Sequence, residues 1–361
     1  MLTSRERCIR SVLLEDPDRI PLILKIRPEP YEKLRRALGA SSYIDVCKRL
    51  GVDVISIGIG IKGGYLPENV EVKEGPYAPA YTVGEYKGFE VRRDIWGIES
   101  IWAPSSTYTY TYYRHPLQYI PLEEYRWPRV NVEAFDNVMK ARKNYEDYCL
   151  AGTVEHMWEI AWQLTGFNEI MKLMYTKPTY VEIILDKLND IRVEEAKLLC
   201  EAGVDMIYDG DDVGMQKGMM MSPEMWRRFL KPRYKRLIDL CHKYGVFFYF
   251  HSDGWIEPII QDLIEIGVDV LNPVQPECMD PIKLKNLYGD KLCFAGTIGV
   301  QSTLPFGTPE DVAREVKHRI SELGPTGLIL GPTHAMQPDV PVENILALYK
   351  TALKYGWNAR R

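Results

Sequence analysis

The sequence predicts a closed (β/α)8 TIM barrel with a helical extension at its N-terminus and a β-rich insertion between strands two and three. Three observations predict it. Eight apolar segments of strand length recur along the 361 residues. Most are separated by helical patterns that stop at a glycine just before the next strand. The apolar runs end abruptly in polar, chemistry-bearing residues, as parallel barrel strands do where they present a site.

In chain order, residues 1–21 carry charge throughout and predict an amphipathic helix starting after Thr3 or Ser4 and ending before Pro17. The predicted strands are 21–26, 52–60, 148–154, 204–208, 246–251, 268–271, 292–295 and 328–330. Helices are predicted over 178–201, 223–244, 256–266 and 308–323, the last opening on a Thr308 cap with Pro309 at the first helical position. Between strands two and three, at about 61–135, the rhythm breaks into hairpin-like alternation and then a tyrosine-dense stretch. This insertion is expected to cover one barrel end, as a lid or an oligomer contact; tyrosine-rich strands suit a homo-oligomer interface. The whole chain, 1–361, reads as one domain.

Composition excludes several classes. With 46% hydrophobic and 26% charged residues the chain has ordinary globular composition. Its net charge of −5 and lack of a basic block argue against nucleic acid and acidic membrane surfaces as partners. There is no apolar run of bilayer-spanning length and no signal-peptide core. The seven cysteines show no CxxC spacing and read as reduced thiols of a cytoplasmic protein. The loop after strand seven lacks a P-loop pattern, and the glycines near 58–64 are not a dinucleotide fingerprint.

Candidate functional residues lie at the strand ends. They are Glu155 and His156; Tyr208, Asp209, Asp211 and Asp212; His251 and Asp253; Asn272, Gln275, Glu277 and Cys278; Thr297; and Thr333 and His334. His251 and Asp253, two apart, project to one side of an extended chain. His251 and His334 directly follow apolar runs, and neutral imidazole is a common zinc ligand. His251, Cys278 and His334 are a candidate ligand set, with Asp253, Glu155 or Asp212 as the alternative or supporting carboxylate. The 209–216 run, DGDDVGMQ, places several carboxylates at one strand exit, for metal binding, substrate orientation, acid–base work or helix capping. Tyr208, Asp211, Gln275 and Thr297 are the expected substrate contacts.

The motifs GDDVGMQKGMMMSPEMWRRFLKPRYKRLID, FHSDGWIEPIIQDLIEIGVDVLNPVQPE and LILGPTHAMQPDVPVENILAL, with the opening SRERCIRSVLLEDPDRIPL, resemble the uroporphyrinogen decarboxylase superfamily. The resemblance covers nearly the whole chain and implies a (β/α)8 barrel. One arm of that superfamily is the porphyrinogen decarboxylases; the other is zinc-dependent, cobalamin-linked methyltransferases. The decarboxylase arm carries an RQAGRY-like motif, where this chain reads ILKIRPEPYEKLRRAL with Arg27 but not the motif. The methyltransferase arm shows His-x-Cys and a later Cys; the matching positions here are His251, Asp253 and His334.

The resemblance therefore implies a methyltransferase moving a methyl group between a small-molecule methyl ether, thiol or amine and a corrinoid protein. Zn2+ would be held by His251 and His334 with an acidic or thiol partner, while Asp212 and Glu155 orient substrate or move a proton. Two alternatives stand beside it. One is metal-free decarboxylation of a smaller polycarboxylate, which needs Arg27, Arg92 and Arg93 at the pocket. The other is a binding protein that keeps the barrel without turnover.

Overall fold

The computed structural model describes residues 1–102 and 110–357. Residues 103–109, part of the tyrosine-rich stretch, lie outside the described residues. Seven parallel strands form one curled sheet in chain order: Val54–Gly58, Cys149–Thr153, Met206–Gly210, Phe247–His251, Val270–Asn272, Cys293–Ala295 and Leu328–Ile329. Every predicted strand from the second onward is present, within two residues at its start. The first, 21–26, is not a regular strand. It makes single parallel bridges, Leu22 with Leu330 and Ile26 with Met336. Ile23 N donates to Leu330 O (3.0 Å), and Asp53 N donates to Leu22 O (2.8 Å) on the other side. Pro21 at its start has no N–H for a ladder. The segment nevertheless bridges the two edges of the sheet and completes a TIM-barrel-like architecture.

Strand register decides what enters the bore. Tyr249 pairs with Tyr208 and Val270, and His251 pairs with Gly210 and Asn272. Partners in a parallel ladder share a face, and the face alternates every residue. Phe247, Tyr249 and His251 therefore point inward; Phe248 and Phe250 point out to the helical layer, where both are fully buried. The inward set packs as its own cluster with Val54, Cys149, Ala151, Met206, Val270, Cys293, Ala295 and Ile329. Cys8 and Val12 of the N-terminal helix Ser4–Val12 join it, so this helix plugs the end of the bore opposite His251. The helix is shorter than predicted, ending four residues before Asp16, with Leu14 at positive φ.

The other helices follow their local signals. Pro178–Glu201 runs as predicted, and Pro309–Leu323 carries a capping box between Thr308 and Asp311. The predicted helix over 223–244 is two helices, Pro223–Phe229 and Lys231–Lys243. Pro232 lacks the N–H an uninterrupted helix would use, so a new helix starts around it. No helix among the described residues is long and apolar enough to cross a membrane.

The insertion is β-rich as predicted. Ala80–Tyr86, Phe89–Asp94, Glu99–Trp102 and Tyr110–Arg114 form an antiparallel sheet in that order. It docks on the helix Trp158–Thr165: Tyr112 meets Trp162 edge-on at 5.1 Å, and His115 Nδ1 lies 2.6 Å from Gln163 O.

Candidate active site

His251 ends its strand facing inward, at the mouth of the bore. Its Nδ1 lies 2.6 Å from Asn272 Oδ1, and Asn272 Nδ2 donates to Ala295 O at 2.9 Å. The second bond orients the amide with its oxygen toward the imidazole, so Nδ1–H is the donor and Nε2 carries the lone pair. That Nε2 faces two carboxylates, Asp212 Oδ1 and Asp253 Oδ1, each at 3.8 Å. Asp253 Oδ2 lies 3.9 Å from His334 Nε2. The two imidazoles, 83 residues apart in sequence, sit with ring centroids 6.1 Å apart.

Two groups of His, Cys, Asp and Glu among the described residues bring ligand atoms within 4.8 Å of one another: His251, Asp253 and His334, and His156, Glu159 and Asp211. They differ in whether their atoms are already satisfied. In the second group, Asp211 accepts from Trp158 N and Glu159 N (2.9 Å each) and from the Tyr234 hydroxyl (2.6 Å). Glu159 accepts from Tyr77 Oη (2.6 Å) and pairs with His156 Nδ1 (2.8 Å). In the first group, the buried Asp253 Oδ1 has no hydrogen-bond partner and points at an imidazole lone pair. Two acceptors facing each other need a cation or a proton between them. Two imidazole nitrogens and a carboxylate oxygen are a donor set that fits zinc.

The electrostatics agree. Burial, then the charges of Glu159 and Asp253, pushes the Asp212 carboxyl well above its usual range. Burial also raises Asp253, against the pull of His334 and Lys25. Burial, with Lys25 and His334 nearby, holds His251 well below the usual imidazole range. The site therefore disfavours ionised carboxylates and protonated imidazoles until positive charge enters it.

The turn that carries Asp253 is held from below. Asp253 N donates to Asp212 Oδ1 (2.7 Å), Val213 N to Ser252 Oγ (2.9 Å), and Gly254 N to Gln275 Oε1 (3.2 Å). Gly254 has φ +83°, and a Cβ there would stand 2.6 Å from Met215 N. A Cβ on Gly214 would stand 2.4 Å from Asp253 O, so the two turns touch through paired glycines.

Above His251 opens a cleft of about 560 Å³, lined by Tyr77, Asp212, Asp253, Gln275, His334 and Asp339 among others. Among the described residues its lining has three aspartates and neither lysine nor arginine. Behind His251, in the upper bore, lies a cavity of about 180 Å³ lined by Lys25, Ser56, Thr153, Tyr208 and Tyr249 with apolar neighbours.

A family model, uroporphyrinogen decarboxylase (URO-D), matches residues 129–355, well over half of the chain. The chain belongs to the uroporphyrinogen decarboxylase family. Among its relatives, a uroporphyrinogen decarboxylase from Pseudoalteromonas translucida is 25% identical over 52% of this chain and 53% of its own length. One from Helicobacter acinonychis is 24% identical over 58% of this chain and 61% of its own. The chain thus spans about half the length of such relatives that it matches. Among solved structures, a methyltransferase from Methanosarcina mazei superposes with a TM-score of 0.68 at 18% identity, covering 98% of this chain and 99% of that one. At that identity the likeness is one of fold.

The predicted site residues divide. His251, His334, Asp253 and Asp212 converge at one point, and Gln275 and Tyr208 stand beside it. Cys278 is half-buried and lies outside both ligand groups. Asp211 is fully buried and caps the helix Trp158–Thr165, a task its chain neighbours do not perform. Asp209 faces outward and pairs with buried Arg192. The Glu155 backbone N–H donates to Glu195 Oε2 (2.9 Å), and its carboxyl, raised by burial, neighbours Trp96 rather than the imidazole pair. Thr297 is fully buried and does not line the cleft. Sequence reading missed Lys25, whose Nζ lies 2.8 Å from Asn272 Oδ1, 3.1 Å from Tyr208 Oη and 3.4 Å from His251 Nδ1. The sequence signal for it is a single lysine interrupting the apolar run 21–26, two residues before Arg27.

Proposed function

We propose that the chain is a methyltransferase of this family that moves a methyl group between a small-molecule methyl ether, thiol or amine and a corrinoid protein. Zinc would be held by His251, His334 and Asp253, leaving a position open for the substrate heteroatom. When bound, it supplies Lewis acidity that stabilises charge on that heteroatom. Asn272 fixes the His251 tautomer, with Nε2 directed to the cleft. Asp212 holds the Asp253 turn through its backbone N–H and, 3.8 Å from His251, is positioned to hold or release a proton.

The observation that carries this reading is the unpartnered Asp253 oxygen facing the His251 lone pair, in a cleft whose described lining has no lysine or arginine. Carboxyl groups that burial keeps from ionising gain from an entering cation, and the described lining offers a polycarboxylate no lysine or arginine. The arginines that the decarboxylase alternative needs each pair with a glutamate, Arg27 with Glu74, Arg92 with Glu90 and Arg93 with Glu99, and none of the three lines the cleft, although the charge of Arg27 reaches His334.

Elemental analysis of protein purified without chelators tests the metal. About one zinc per chain is expected, falling sharply in His251→Ala and His334→Ala. Wild type that holds no metal, and takes up none when supplied, overturns the mechanism. Methyl transfer from methyl ethers, methyl thioethers and methylamines to cob(I)alamin, and from methylcob(III)alamin to thiols, tests the reaction, with CO2 release from polycarboxylates as the opposing assay.

A further inference from the structure

We propose that the cavity behind His251 is a binding subsite for a small organic monoanion, a carboxylate or phenolate on a compact apolar body, held by Lys25. The inference rests on the site described above and names the class of small molecule that site would take.

Lys25 is recessed in the upper bore, and among the described residues no carboxylate forms an ion pair with it. Its polar neighbours are an amide oxygen, a phenol and an imidazole: Asn272 Oδ1 at 2.8 Å, Tyr208 Oη at 3.1 Å and His251 Nδ1 at 3.4 Å. Burial lowers the Lys25 ammonium to about 8, against the more distant pull of Asp253 and Asp212, so an anion placed in direct contact with it stabilises its charged form. The anion's place is next to it, since the same Nζ borders a cavity of about 180 Å³. A cavity of about 150 Å³ suffices for benzene, so the space suits a body of six to ten heavy atoms and excludes a tetrapyrrole. Its walls are the Tyr208 and Tyr249 rings, 5.1 Å apart, with Ile23, Val54 and Ala151. The rings and aliphatic groups favour a flat apolar body, and Ser56 and Thr153 supply further hydroxyls.

The placement is also electrostatically sorted. His251 divides the mouth, with its Nδ1 toward Lys25 and its Nε2 toward Asp212 and Asp253. Carboxyl groups thus line the outer cleft, and the ammonium borders the inner cavity. Among the described lining residues, a monoanion meets a lysine on the inner side and none in the outer cleft.

Calorimetry with benzoate, phenol and neutral benzamide as probes tests the subsite, with zinc content measured on the same samples. At pH 7, below the value of about 8 to which burial lowers Lys25, benzoate is expected to bind wild type one to one, at least tenfold more tightly than benzamide or un-ionised phenol. Lys25→Met should weaken benzoate binding tenfold or more with zinc content unchanged. Lys25→Arg should retain the preference for the anion. Ala151→Leu, which narrows the cavity without touching Lys25, should weaken all three probes and serves if Lys25→Met does not fold. Equal binding of benzoate and benzamide, undiminished benzoate binding in Lys25→Met, or no binding of any probe at millimolar concentration overturns the subsite. Benzoate binding in a protein that takes up no zinc would instead sink the function proposed above and leave the subsite standing.

Discussion

Asn272 Oδ1 stands 2.6 Å from His251 Nδ1 and is itself fixed by the bond from Asn272 Nδ2 to Ala295 O. One buried amide on the neighbouring strand therefore sets which imidazole nitrogen meets the cleft. Replacing it with Leu, of similar size, removes that control. We expect zinc affinity in Asn272→Leu to fall 10–100-fold, as is typical for lost ligand-supporting hydrogen bonds. Competition with a chromogenic chelator measures it, and unchanged affinity would mean that the tautomer is set elsewhere.

The seam between the turns at 214 and 254 admits no side chain. Gly254→Ala must adopt φ near +83° and bring a Cβ within 2.7 Å of three backbone atoms of Gly214 and Met215. We expect a loss of at least ~2 kcal/mol in denaturant unfolding, with displacement of Asp253 and loss of metal uptake. Gly218→Ala, where no heavy atom lies within 4 Å and φ is ordinary, is the control and should be near neutral.

Asp211 links two βα units by accepting from two backbone N–H groups and a tyrosine hydroxyl. Asp211→Ala leaves those donors buried and unpaired. We expect a destabilisation of about 3 kcal/mol or more, read as a lowered Tm, with zinc stoichiometry retained in the folded fraction. Loss of metal without loss of stability would instead place Asp211 in the metal site.

His156 gives the stability curve a direction with pH. Burial disfavours its protonation, but the Glu159 hydrogen bond and the charges of Glu159, Asp211 and Glu155 outweigh it and raise it to about 9. The folded state therefore holds this proton more tightly than the unfolded chain, where imidazole titrates near 6.5. The stabilisation is fully present below about pH 6.5 and is lost as pH rises through about 9. Thermal melts should show Tm falling across that window, by less in His156→Gln. A variant with the same slope as wild type would remove His156 as the cause.

Much of this was legible from local patterns. The helix starting at Pro309 after the Thr308 cap, the strand ending at His251 and the apolar-to-polar switch at His334 are all written in short stretches, because capping, alternation and chain breaks act over a few residues. The carboxylates of DGDDV were not separable in that way. Asp209, Asp211 and Asp212 are near neighbours in one segment, yet one pairs with Arg192, one caps a helix some 50 residues upstream, and one faces His251. Strand alternation and the turn after Gly210 send them to different layers.

The sequence by itself determined the barrel, the insertion and the imidazole pair at the strand ends, since periodicity and chain order suffice for those. Only the tertiary structure decided that Asp253 rather than Cys278 joins the imidazoles, that Asp211 is a cap, and that Lys25 arrives beside His251 from the other end of the barrel sequence. Those outcomes depend on which strands become neighbours and in what register, a relationship between residues hundreds of positions apart that no local pattern encodes.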